Sequence, residues 1–225
     1  MLDKTTKQRL IVIGNGMAGI RTVETLLERA PDLYQITVFG SEPYGNYNRI
    51  LLSPVLAGEK SVDDIILNTQ QWYDDNNITL RKGETVAMID RRTCEVVTDK
   101  GERYPYDRLL IATGSNPIVL PIPGADLPGV VGFRDIHDVE RMVEASTRFR
   151  RAVVIGGGLL GLEAANGLAK RGMQVTVVHL LDSLMERQLD PVAGGMLRKH
   201  PGDRMLTAIR LLKAYDDHSL LFDFD

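Results

Sequence analysis

The chain has 225 residues, with 27 basic and 30 acidic side chains, a formal net charge of −3, and 44% hydrophobic residues. Those values suit a globular protein with a sizeable core; they carry no basic footprint for nucleic acid, and no apolar run reaches the ~18 residues of a transmembrane helix. The single cysteine, Cys94, excludes an intrachain disulfide, a thiol redox pair, a cysteine-rich zinc site and an all-cysteine iron–sulfur cluster, and the polar stretch Met1 to Leu10 leaves the cytoplasm as the expected compartment.

The elements follow a repeated pattern. Leu10 to Ile13 is an apolar run that meets glycine abruptly and predicts a buried parallel strand. Ile20, Val23, Leu27 and Ala30 follow at helical spacing, with Pro31 as the stop, and Ile36 to Phe39 is the next strand. Thr85 to Asp90 and Cys94 to Thr98 read as a strand pair, with Asp99-Lys100-Gly101 as a turn. Arg108 to Ala112 reads as another buried strand, expected in one sheet with 10–13. Residues 117–132, with four prolines and three glycines, read as a linker. The βαβ pattern then returns about 142 residues after its first appearance: strand Ala152 to Ile155, a helix face at Leu160, Ala164 and Leu168, a cap at Gly172, and strand Val175 to Val178. The fold class is therefore α/β, with two units of Rossmann type.

Two motifs carry the chemistry. Gly14-Asn15-Gly16-Met17-Ala18-Gly19 stands where a strand becomes a helix. In the dinucleotide fingerprint the first glycine makes the tight turn, the second admits a diphosphate, and the third packs helix on strand. The helix N-terminus adds N–H groups and partial positive charge. Glu42, 23 residues beyond Gly19, is the expected ribose partner. Gly156-Gly157-Gly158-Leu159-Leu160-Gly161 repeats the arrangement, with Glu163 on the helix. Here His179 stands near the position of the ribose acid, so the choice between NADH and NADPH is not readable; a strand-end histidine without a ligand role is the competing reading. Two such motifs point to FAD and an exchangeable NAD(P)H, with hydride passing between them. No acid–base pair, triad or metal site is expected, and His137, His200 and His218 read as solvated.

These motifs, with the Ala112-Thr113-Gly114 turn, resemble the FAD/NAD(P)-binding pyridine nucleotide–disulfide oxidoreductase superfamily. Within it, Asn46 to Ser53 and Leu184 to Asp190 are similar to the flavin-containing N-terminal region of the assimilatory NADH-dependent nitrite reductase large subunit. The resemblance runs from about residue 8 to 199. It implies FAD contacts at Gly14, Gly16, Met17, Ala18, Gly19, Glu42, Arg49, Ser53, Val86, Thr113, Gly114 and Arg134. It implies NAD(P)H contacts at Gly156, Gly158 and Gly161, with Glu163 orienting the nicotinamide. Solvated arginines are the competing reading for Arg49 and Arg134. Related ferredoxin reductases carry lysine after the serine matching Ser53, where this chain has Pro54, which weakens a ferredoxin- or rubredoxin-reductase reading.

The expected division is an FAD-binding domain over 1–120, a linker over 121–150, a partial NAD(P)-binding domain over 151–199 and a tail over 200–225 unlike the family. The expected function is an NADH-fed FAD oxidoreductase or electron-input module of nitrate assimilation, with the electron acceptor unknown. A truncated, inactive fragment that binds FAD weakly is the alternative. A flavin-binding regulatory module is the third.

Overall fold

The computed structural model describes residues 7–199 and 206–211. In chain order the elements are β1 (Gln8–Ile13), α1 (Met17–Arg29), β2 (Tyr34–Gly40), β3 (Asn46–Tyr47), α2 (Leu52–Leu56), β4 (Ile66–Asn68), α3 (Gln70–Asp75), β5 (Thr79–Lys82) and β6 (Val86–Asp90). They continue with β7 (Glu95–Thr98), β8 (Arg103–Pro105), β9 (Arg108–Ile111), α4 (Ile136–Arg148), β10 (Arg151–Ile155), α5 (Leu159–Lys170), β11 (Gln174–His179), α6 (Pro191–Lys199) and β12 (Leu206–Leu211). The chain divides into two compact units. Of the described residues, the first holds those up to 49 and 63–116; the second holds 50–62 and those from 117 on.

The first unit is built on a parallel sheet in the order β5-β2-β1-β9. Ile11 is in register with Thr37 on one side and Leu109 on the other, so 10–13 and 109–111 do share a sheet. The run from Leu10 to Ile13 is apolar at every position because both faces are covered. Leu10 and Val12 pack with Ile20 and Val23 of α1 and with Tyr73. Ile11 and Ile13 pack with Phe39, Val96 and Val86 beneath the antiparallel sheet β6-β7-β8. Each such side chain, fully buried, contributes about 1.5–3 kcal/mol. The turn at Asp99-Lys100-Gly101 leads from β7 into β8, a strand the sequence pattern does not announce; β6 and β7 are joined instead through 91–94, where Cys94 takes φ 53°.

Asp107 pins the start of β9 to β1. Its carboxylate accepts from the Arg9 backbone N–H at 2.7 Å and from Arg9 Nε and Nη2 at 3.1 and 2.8 Å. These bonds hold its carboxyl down at about 2, below the ordinary aspartate range near 3.9. A depressed folded-state value stabilises the fold above about pH 4, and that contribution is lost as pH falls through about 2. Asp107→Asn is therefore expected to lower the urea midpoint at neutral pH and to flatten the acid limb of its profile between these values, the variant and native proteins converging below about pH 2. An unchanged acid limb would refute this role.

The second unit carries the parallel sheet β10-β11-β12. Ala164, Ala165 and Leu168 form the buried face of α5, and Gly172 at φ 86° follows its end, as the cap reading requires. The structure corrects the expected division in three places. The stretch 121–150 is not linker throughout, because α4 occupies Ile136–Arg148; Ile136, Val139 and Met142 recur at helical spacing and are buried. Residues 50–62 group with the second unit, because Leu56 of α2 fills the space left by Gly167 of α5 and the Arg171 guanidinium donates to the Val55 and Leu56 carbonyls. The tail contributes β12, so the second sheet has three strands rather than two. His200, His218 and the Leu220-Leu221-Phe222 end lie outside the described residues. Among the described residues, no helix is long and apolar enough to cross a membrane.

Candidate functional site

The first candidate site grows from the end of β1. Gly14 takes φ 114°, and a Cβ there would collide with the Ala112 carbonyl. A Cβ on Gly19 would collide with the Gly14 carbonyl in turn. These two glycines are demanded by backbone packing. Gly16 is different: it is extended at φ −86°, and a Cβ there would meet nothing within 4 Å. It is also the N-cap of α1, and no side chain caps that helix. By contrast, Asp135 caps α4 by accepting the Asp138 N–H at 2.9 Å. The first-turn N–H groups of α1, at Met17 and Ala18, are thus left to a ligand.

The neighbouring segments close around this turn. The Ala112 N–H donates to Ile13 O at 2.8 Å, which sets Thr113 and Gly114 (φ 72°) beside Gly14. The Gly83 and Glu84 N–H groups donate to the Glu42 and Gly40 carbonyls at 3.1 Å, so the strand leading to Val86 passes the end of β2. The Glu42 carboxylate accepts from Tyr47 Oη and Arg49 Nη2, each at 2.7 Å, and the guanidinium lies 5.2 Å from the Tyr47 ring centroid. Each carboxylate oxygen retains a second lone pair, enough for a ribose hydroxyl pair. Sequence patterns treat Glu42 and Arg49 as separate contacts; the structure makes them one ion pair.

Tyr73 escapes a motif-based reading altogether. Its hydroxyl donates to Asn15 Oδ1 at 2.6 Å and accepts the Asn46 N–H at 3.2 Å, while Asn15 Nδ2 donates to Tyr44 O at 3.2 Å. Burial pushes the phenol up to about 12, so it remains a donor at neutral pH. The polar Asn15 inside a glycine run is the one signal that a side chain braces the turn from below.

The second unit holds the counterpart. Gly156 takes φ 121°, a Cβ on Gly161 would collide with its carbonyl, and Gly158 is the uncapped N-cap of α5 with open space at its Cβ position. Ser53 of α2 donates to Glu163 of α5 at 2.6 Å, across 110 residues of sequence. The backbone N–H of Arg134 donates to Asp138 Oδ2 at 2.8 Å at the start of α4. The sixteen candidate positions therefore fall into two groups. Gly14, Gly16, Met17, Ala18, Gly19, Glu42, Arg49, Val86, Thr113 and Gly114 lie in the first unit, and Ser53, Arg134, Gly156, Gly158, Gly161 and Glu163 in the second. In both units the residues fit a diphosphate: an open glycine position in front of an uncapped helix.

The model of the pyridine nucleotide-disulphide oxidoreductase family matches residues 8–205. The chain belongs to this family. The match runs past residue 199, where the resemblance is expected to end from sequence alone. A nitrite reductase [NAD(P)H] of Bacillus subtilis is 55% identical over 192 residues, 85% of this chain and 24% of that protein. The assimilatory nitrate reductase electron transfer subunit of the same organism is 51% identical over 201 residues, 89% of this chain and 26% of that protein. Among solved structures, NADH:rubredoxin oxidoreductase from Clostridium acetobutylicum has a TM-score of 0.81 at 29% identity, over 92% of this chain and 53% of that one. The chain thus spans about a quarter of the length of the two Bacillus relatives. The one cysteine, Cys94, is exposed, so the disulphide chemistry in the family's name has no thiol pair here.

Proposed function

We propose that the chain is the electron-input part of an NAD(P)H-dependent flavoenzyme, with FAD on the first unit and a nicotinamide nucleotide on the second. The observation that carries this reading is the pair of turns in which a glycine with open space stands in front of an uncapped helix, one in each unit. The flavin, when bound, supplies the redox chemistry by accepting hydride from NAD(P)H. The chain's own residues bind and orient. The N–H groups from Gly16 to Gly19 would hold the FAD diphosphate, and Glu42, held in place by its ion pair with Arg49, would accept from the adenosine ribose. Val86 would meet the adenine through its backbone, and Thr113, Gly114 and Arg49 would contact the rest of the flavin nucleotide. Gly156, Gly158 and Gly161 would hold the second diphosphate, and Glu163, fixed by the Ser53 hydroxyl, would orient the nicotinamide.

The relatives' names favour nitrite or nitrate reduction as the destination of the electrons. A rubredoxin- or ferredoxin-type acceptor is the second reading, supported by the rubredoxin oxidoreductase likeness and weakened by Pro54. Titrating the chain with FAD and following anaerobic bleaching on NADH addition tests the proposal. Bleaching by NADH or NADPH supports it; a chain that binds neither FAD nor ADP-ribose overturns it. Glu163→Gln keeps an acceptor for the Ser53 hydroxyl but removes the charge. It is expected to slow bleaching by about ten- to a hundredfold with FAD affinity unchanged, since misplacing a reacting ring costs that order of rate. An unaltered bleaching rate would remove Glu163 from the site.

A further inference from the structure

We propose that His179 and the turn over residues 183–186 form a latch beneath the second phosphate-binding turn. In this arrangement His179 is a positioning residue for the coenzyme diphosphate and not a ribose ligand. The inference rests on the reading that the second unit binds a nicotinamide nucleotide.

His179 ends β11, where the dinucleotide fingerprint ordinarily has a carboxylate directed at the ribose. Its ring is instead turned inward and is 8% exposed. Nδ1 accepts the Gly157 N–H at 3.0 Å. An accepting Nδ1 carries no proton, so in the neutral ring the proton sits on Nε2. Nε2 faces Ser183 O at 3.1 Å and Glu186 Oε2 at 3.3 Å, two acceptors suited to that N–H. Both ring nitrogens are therefore committed within the protein.

Gly157 is held from its other side as well. Its carbonyl accepts the Met185 N–H at 3.0 Å, and Met185 takes φ 53° in a tight turn. A Cβ on Gly157 would lie 2.5 Å from Leu184 Cδ2 and 2.9 Å from His179 Cγ, and Leu184 is 1% exposed. The position is one the fingerprint leaves variable, and in the first unit it is Asn15. Here it must be glycine because the latch fills the space. The same geometry gives the string Leu184 to Asp190 a physical purpose: the Gln188 and Leu189 N–H groups both return to Met185 O at 2.8 Å and fold it against the turn. With its N–H and C=O both tied, the peptide between Gly156 and Gly158 is ordered before a ligand arrives, and pre-ordering of a loop is gained affinity.

The test measures binding of ADP-ribose and of its 2′-phosphate form to the full chain saturated with FAD, so that the first unit is already filled, by calorimetry. Both probes carry the diphosphate and lack the nicotinamide. His179→Phe keeps a ring but has no acceptor for the Gly157 N–H; His179→Asn places Oδ1 where Nδ1 stood. His179→Phe is expected to weaken both probes about tenfold, the cost of one buried donor left unmade, and His179→Asn to recover to within about threefold. The ratio of the two affinities stays constant across all three proteins. Equal binding by His179→Phe and the native chain overturns the latch, and a ratio that shifts about tenfold makes residue 179 a ribose ligand after all. Nitrogen NMR of the native imidazole reads the same point without a variant: an Nε2–H tautomer supports the proposal and an Nδ1–H tautomer overturns it. A native chain that binds neither probe defeats the underlying nucleotide reading, and the latch with it, while differing binding among the three proteins bears on the latch alone.

Discussion

Gly16→Val is expected to abolish measurable flavin binding while leaving the fold intact. The backbone there is extended, at φ −86° and ψ 175°, a conformation valine adopts readily. A Cβ at this position meets no protein atom within 4 Å, so nothing must move to accept the side chain. The branched side chain would instead occupy the approach to the uncapped N-terminus of α1. Two or more charge-assisted N–H bonds to a diphosphate would be lost, each about 1.5–3 kcal/mol, which corresponds to roughly a hundredfold or more in affinity. Flavin fluorescence quenching reads the affinity, and a thermal melt of the apoprotein reads the fold. Retained affinity would place the phosphates elsewhere; a collapsed melt would show that Gly16 is structural.

Gly14→Ala should do the opposite, damaging the fold of the first unit directly. At φ 114° an alanine is outside the left-handed basin that L-residues occasionally visit, a cost of about 1–3 kcal/mol. Its methyl group would also collide with the Ala112 carbonyl, which is backbone and cannot swing away. Relief requires β9 to part from β1, at the expense of the Ala112 N–H bond to Ile13 O. Together these effects approach the large end of single-substitution losses, about 3–5 kcal/mol. For a unit of this size that lowers the melting temperature by roughly 12 °C or more. Circular dichroism melts check it, and a shift of only about 2 °C would mean that the turn relaxes at little cost. The two variants, two residues apart in one loop, separate a glycine kept open for a ligand from one imposed by packing.

That contrast marks how far the sequence alone reaches. The strands at 10–13 and 152–155, the helices after each glycine run and the parallel pairing of 109–111 with 10–13 are legible, because they rest on local period and on a glycine requirement set within a few residues. Family membership is legible as a resemblance, carried by the two glycine runs, the Ala112-Thr113-Gly114 turn and the strings at 46–53 and 184–190. Other features were decided only by tertiary packing. The helix at 136–148 is obscured by the proline- and glycine-rich stretch before it, although its buried spacing is regular. Strand β8 has only three residues and gains its identity from β7 beside it, and β12 from its pairing with β11. Side-chain partnerships are the least legible. Nothing local in Ser53 points to Glu163, 110 residues away, or in Tyr73 to Asn15, and nothing in the strand-end position of His179 says that its ring turns inward to Gly157 rather than outward to a ribose. Such pairings depend on how helices and strands pack at distances of a few ångströms, which a one-dimensional pattern of periods and glycines does not encode.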